Sequence, residues 1–330
     1  MMGFLKKITS LFAAATVSSA SVVMAAPAAG YSGEMVKLIS DMNAYAKAKK
    51  PDFELLANGG ALLYLEGADN SSENAATMLK SVAGAMTESL FYGYDMKMDA
   101  KTPANIRTSF IRCLNAVKAA GKPVFNIDYA ADEFNIEDAY LQNSRYGYIA
   151  EVSPDRALKV IPAKVNSQNI FDVDSLKDAK NFLPLLNPQE FATKEEYLAA
   201  IAATDYDLVI VDLFYGGAPL SAEDVDKLKR KKSGGRRLVL AYMSVGEAND
   251  FRYYWQKEWS EQPPAFLADK NEYWNSYHVY YWQNEWRRIL YGTDDAYLDK
   301  IMAAGFDGAF LDTIDTWQFF SEKEKLTKDK

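Results

Sequence analysis

Six strand-like runs in this chain carry, at an end, a side chain able to bind a polar ligand or handle a proton: Asn58, Glu88, Asp128, Asp212, Glu247 and Asp312. The run Arg237-Leu-Val-Leu-Ala241 leads through Tyr-Met-Ser-Val to Gly246 and Glu247. A buried strand ending on Gly-Glu puts an acid at its C-terminal mouth, where parallel α/β sheets and barrels handle ligands. Like charges gathered at one mouth repel, so one carboxyl is expected to hold a proton near neutral pH beside an ionised partner. That pairing is what glycoside hydrolysis needs. Glu247 is the expected acid/base, exposed at the mouth, with Asp212 or Asp312 as the ionised partner. Asp250, Arg252, Tyr254, Trp282 and Asp315 lie close by in sequence and, with Asn58, Glu88 and Asp128, are the candidate substrate-binding residues. No dense Asp-x-Asp loop is present, so neither a metal site nor a cofactor is expected.

Other chemistries lack their residues. His278 is the only histidine, which removes multi-histidine zinc sites and leaves a serine–histidine triad dependent on that one residue. The single cysteine, Cys113, falls on an apolar helical stripe with Ile106, Phe110, Leu114 and Val117 and reads as structural. No Gly-x-Gly-x-x-Gly or P-loop follows a strand. The formal net charge of −8 argues against nucleic acid as a partner and suits a cationic substrate. The N-terminus reads as a secretory leader: Lys6-Lys7, an apolar stretch from Ile8 to Met24, and a small-residue cleavage site after Ala25. The mature protein is then expected to be secreted or periplasmic, with no membrane span.

Eight strand-like segments alternate with helical patterns along the chain and must position these groups. They are Phe53–Ala57, a run beginning at Glu88, Val124–Tyr129, Tyr146–Ala150, Asn181–Asn187, Asp207–Asp212, the run leading to Glu247, and Gly308–Asp312. Helices are expected over Glu34–Lys50, Ser71–Met86, after Thr102-Pro103, after Ser153-Pro154, and behind the capping residues Thr193 and Ser221. Alternation along a strand would put Leu208 and Ile210 on the face of Asp212, and Met243 and Val245 on that of Glu247, filling the interior of a barrel. Eight such units in about 300 residues predict a single (β/α)8 TIM barrel over 31–330.

Four stretches carry a family resemblance: Tyr206-Asp-Leu-Val-Ile-Val-Asp212, Ala241-Tyr-Met-Ser-Val-Gly-Glu-Ala248, Arg252-Tyr-Tyr-Trp255 and Gly305-Phe-Asp-Gly-Ala-Phe-Leu-Asp-Thr-Ile-Asp315. They resemble the family-114 glycoside hydrolases, which include endo-α-1,4-polygalactosaminidases and share a (β/α)8 barrel. The resemblance implies an α-linked polysaccharide substrate, with amino-sugar polymers in that class. A carbohydrate-binding barrel without catalysis is the alternative. Segments of the first half, Pro51–Gly59, Glu88–Tyr92 and Gly121–Tyr129, resemble parts that in the family follow the Leu-Asp-x-x-Asp motif, here Leu311–Asp315. The order is that of a circular permutant, which requires the regions near residues 35 and 320 to be neighbours. Two positions depart from the family: Ala57 replaces a Gln before Asn-Gly, and Phe310 replaces a Glu found in the polygalactosaminidase branch.

Overall fold

The computed structural model describes residues 26–328, and the leader expected to about Ala25 lies outside them. Eight strands form one sheet: β1 (Glu54–Asn58), β2 (Gly84–Glu88), β3 (Val124–Tyr129), β4 (Ile149–Ser153), β5 (Phe182–Leu185), β6 (Leu208–Val211), β7 (Leu238–Ser244) and β8 (Gly308–Asp312). Their spatial order is β4-β3-β2-β1-β8-β7-β6-β5, and each neighbouring pair is parallel. The register of β1 on β8, Glu54 opposite Gly308 through Ala57 opposite Leu311, joins the first strand to the last. Only β4 and β5 meet without a ladder, so the sheet is a nearly closed barrel with helices around it. This is the α/β TIM barrel the alternation predicts.

Strand alternation divides the core into two layers. Leu56, Met86, Phe125, Ile127, Phe182, Leu208, Ile210, Leu238, Leu240 and Phe310 fill the barrel. Their neighbours of opposite parity, Leu55, Ala85, Val209, Val211, Val239, Ala241 and Leu311, pack under the helices. Leu208 and Ile210 thus lie inside as expected. Met243 and Val245 do not: the interior residues of β7 are 238, 240 and 242, so the expected face of that strand is corrected by one residue. The cause is that β7 ends at Ser244, and Glu247 belongs to a short strand Glu247–Ala248 that pairs with Ser276–Val279.

Three element boundaries also differ from expectation. Ser72–Ser81 is helical, but the chain then enters β2, which ends rather than begins at Glu88. Pairing with both β1 and β3 overrides the helical character of Ala83 to Met86. The fourth strand sits three residues later than read. No helix follows Ser153; residues 154–181 form turns and irregular backbone that send Leu158, Val173, Leu176 and Ala179 into the barrel core. That segment is tied to the lower rim: the Leu176 N–H donates to Glu54 Oε2 at the start of β1, and the Lys180 N–H to Asp207 just before β6. With the lower end covered, the C-terminal end of the strands is the open mouth. Pro184 is accommodated because β5 is at the sheet's edge.

The regions near residues 35 and 320 are neighbours. Helix Gly30–Lys49 packs on helix Thr316–Lys328, with the Tyr31 and Phe320 rings 5.8 Å apart.

Candidate active site

One line of contacts crosses the mouth in sheet order. The Tyr129 hydroxyl donates to Glu88 Oε2 at 2.5 Å. The Asn58 amide donates to Glu88 Oε1 at 2.8 Å and to Asp312 Oδ1 at 2.9 Å. The Tyr242 hydroxyl donates to Asp312 Oδ2 at 3.0 Å. The Arg252 guanidinium then lies 5.5 Å from the Tyr242 ring and grips Asp212 through two bonds of 2.7 and 3.0 Å. Five strands, β3, β2, β1, β8 and β7, supply the hydrogen-bonded part of this line. Each contributes the residue at its C-terminal end or, for β7, one near it.

Asn58 fixes the geometry of two carboxyls. It has one N–H for each, so the bonded oxygens of Glu88 and Asp312 are no farther apart than the two bonds laid end to end, roughly 5.7 Å. Burial pushes the Asp312 carboxyl up to about 7, and the nearby Glu88 carboxylate adds to the shift. Tyr242 and Tyr129 are held well above the usual phenol range, mainly by burial and also by Asp312 and Glu88 respectively, and so remain donors. Asp315, beside Gly59, is pushed up to about 6 by desolvation and by Glu247.

Glu247 has a different environment from the one expected. It is 7% exposed, not open to the mouth. Asn271 donates to Oε1 at 3.0 Å, Ser276 to Oε2 at 2.5 Å, and His278 Nδ1 lies 3.2 Å from Oε1. Burial alone would raise its pKa, but His278, Ser276 and Asn271 outweigh burial and hold the carboxyl below its ordinary value. The raised carboxyl at the mouth is therefore Asp312, lifted first by burial and then by Glu88, and not Glu247. Gly246 is required here by close approach: a Cβ would stand 2.3 Å from the Thr313 carbonyl oxygen and 2.4 Å from Thr316 Oγ1.

The other expected residues divide between mouth and scaffold. Asn58, Glu88, Asp212, Arg252, Asp312 and Asp315 come together at the mouth. Asp128 does not. The odd residues Phe125, Ile127 and Tyr129 face the barrel, so Asp128 points outward and is fully buried. There it accepts from the Phe91 and Tyr92 N–H groups at 2.8 and 3.0 Å and from Asn126 and Asn143. Burial pushes it up to about 6 against those donors. Asp250 is exposed on a turn. Tyr254 packs edge-on to Trp286 at 5.6 Å, and Trp282 sits among Tyr31, Tyr280, Tyr281 and Phe320.

Sequence reasoning passed over Tyr129 and Tyr242. Counting parity from Phe125 and from Leu238 would have placed both rings inside the barrel at its upper rim. Arg156 left less of a signal. It comes from the irregular segment after β4, lies 4.0 Å over the Tyr129 ring and donates to the Gly93 carbonyl.

Fold and site define a TIM-barrel protein whose mouth carries a bridged pair of carboxyls. Residues 186–330 match the model of glycoside-hydrolase family GH114, so the resemblance read from the motifs is shown over the second half of the chain. Uncharacterized proteins of three organisms are similar over comparable lengths. One from Methanocaldococcus jannaschii is 34% identical over 164 residues, 48% of this chain and 44% of that one. One from Deinococcus radiodurans is 38% identical over 123 residues, 37% of each chain. One from Thermotoga maritima is 27% identical over 129 residues, 39% of this chain and 38% of the relative. The chain thus spans less than half the length of these relatives.

Proposed function

We propose that this protein hydrolyses a glycosidic bond of an α-linked polysaccharide, amino-sugar polymers included, using Asp312 and Glu88. The observation that carries the reading is the Asn58 bridge. It keeps the bonded oxygens within roughly 5.7 Å of each other, which favours the ~5–5.5 Å spacing of retaining glycosidases over the ~6.5–9.5 Å of inverting ones. Asp312, near 7, keeps a proton at neutral pH and gives it to the departing glycosidic oxygen. Glu88, which accepts from both Asn58 and Tyr129, attacks the anomeric carbon as the carboxylate. A bond forms from its oxygen to that carbon as the glycosidic bond breaks. Water, surrendering a proton to Asp312, then attacks the same carbon and releases Glu88. In this assignment Glu247 does not shuttle the proton; it anchors the hairpin beside the mouth. The leader-like N-terminus supports action outside the cytoplasm, secreted or periplasmic. Among the described residues no helix is long and apolar enough to cross a membrane.

The test is release of reducing ends from α-1,4-galactosamine polymers and a panel of bacterial exopolysaccharides. Asp312→Asn and Glu88→Gln are each expected to slow turnover by roughly two to four orders of magnitude, with retention of anomeric configuration in the wild-type product. Full activity in either variant refutes the assignment. One observation favours a second reading, a saccharide-binding barrel without turnover. Where the polygalactosaminidase branch is expected to carry Glu, Phe310 is packed inside the barrel, 2% exposed and 6.2 Å from the Tyr242 ring. Saccharide binding with no reducing ends released on any polymer establishes that reading instead.

A further inference from the structure

Beside the carboxyl pair, a groove of about 530 Å³ opens over the ends of β5, β6 and β7. Its inner end is formed by Asp212 and Arg252, the last members of the line of contacts across the mouth. Its walls carry the rings of Phe214, Phe251 and Tyr253. Phe251 is 71% exposed and Tyr253 38% exposed. Phe214 and Tyr253 stack on each other at 5.3 Å, and Arg252 lies 5.0 Å from the Phe251 ring, so the rings are held in place while their outer faces stay open. The amides of Asn187 and Gln189 stand on the rim. Rings with open faces beside amide and charged groups are the chemistry that receives a pyranose, which offers an apolar C–H face and a hydroxyl edge. On the other side of the mouth the Arg156 guanidinium lies 4.0 Å over the Tyr129 ring and donates to the Gly93 carbonyl.

We infer that this groove is a saccharide subsite and that the bound chain runs along it from the carboxyl pair. The inference rests on the proposed reading of the mouth and adds the path of the substrate. Phe251 supplies the stacking face; Asp212 holds Arg252 at the junction, where the guanidinium donates to hydroxyls of the unit next to the reacting bond. Phe251 makes no core contact whose loss would unfold the protein, which makes it the residue to change.

The experiment measures binding by calorimetry on the protein carrying Asp312→Asn, which suspends turnover. The probes are α-1,4-linked galactosamine, N-acetylgalactosamine and glucose oligomers of two to six units. Affinity is expected to rise with chain length in at least one series. Phe251→Ala is expected to weaken the longest oligomer about tenfold and the disaccharide little, with Phe251→Trp restoring the difference. Equal loss at every length, no loss at any length, or no binding to any series overturns the inference. A parallel assay of reducing ends, with Asp312 intact, separates it from the catalytic reading. Length-dependent binding without hydrolysis keeps the groove and removes the reaction. Hydrolysis whose dependence on length is untouched by Phe251→Ala keeps the reaction and removes the groove.

Discussion

Replacing Glu88 with Gln should lower the pKa of Asp312, and the size of the drop follows from the Asn58 bridge. The bonded oxygens lie within roughly 5.7 Å, so two unit charges at about that distance repel by ~3 kcal/mol at an effective dielectric of ~20. Glu88 is exposed to solvent, and screening cuts that value to a half or less. What remains, ~1.4 kcal/mol, is about one pKa unit. Glu88→Gln removes the charge and keeps one acceptor: with its oxygen on the Asn58 amide, its NH2 faces the Tyr129 hydroxyl oxygen as a donor. The Asp312 midpoint is therefore expected to move from about 7 to roughly 6. It should stay above the ordinary aspartate range, because burial is the larger cause of its elevation. The assay is a pH titration of ¹³C-labelled aspartate carboxyls, with the Asp312 signal assigned by its loss in Asp312→Asn. It requires no knowledge of the substrate. An unchanged midpoint, or a rise, would refute the coupling of the two carboxyls and with it their use as a catalytic pair. For an active enzyme, the limb of the rate profile on which activity falls with rising pH should shift by the same amount in any residual turnover.

Glu247→Gln should destabilise the fold by about 1–3 kcal/mol in thermal or denaturant unfolding, since Ser276, Asn271 and His278 all face its carboxylate. Because the native pKa of Glu247 lies below its unfolded value, this stability is present at neutral pH and is lost as pH falls through the native pKa. The gap between wild type and variant should close in acid, and a gap that persists or widens there contradicts the assignment. Asp128→Ala should cost about 2–4 kcal/mol by freeing the buried Phe91 and Tyr92 N–H groups and the Asn126 and Asn143 amides. Equilibrium unfolding measures it. A stable variant with impaired saccharide binding would instead return Asp128 to the mouth.

Strand periodicity and end chemistry are local properties, and where they acted alone the sequence was enough. Leu208 and Ile210 alternate into the barrel. Thr193 and Ser221 cap their helices through the Glu196 and Asp224 N–H groups. Gly308–Asp312 forms the eighth strand with the bounds read from its residues. The same periodicity was present for Asp128 and Tyr129, and for Val245 and Tyr242. Those faces were misread because the acid, and not the apolar residues of the run, was used to set the phase. Other features had no local signal. The helical pattern over Ser71–Met86 gives way to β2 only because β1 and β3 stand on either side to pair with it. The irregular backbone of 154–181 follows from the space it fills at the seam and lower rim. Glu247 ends beside Ser276 and His278 because a hairpin returns from a 27-residue excursion to pair with it. The carboxyl pair depends most on closure. Asn58 meets Glu88 across 30 residues and Asp312 across 254, contacts that exist only once β1 has β2 on one side and β8 on the other. Sequence determined that Asn58 and Asp312 stand at strand ends. Barrel closure decided which carboxyls Asn58 bridges, and which one, Asp312, is buried enough to hold its proton.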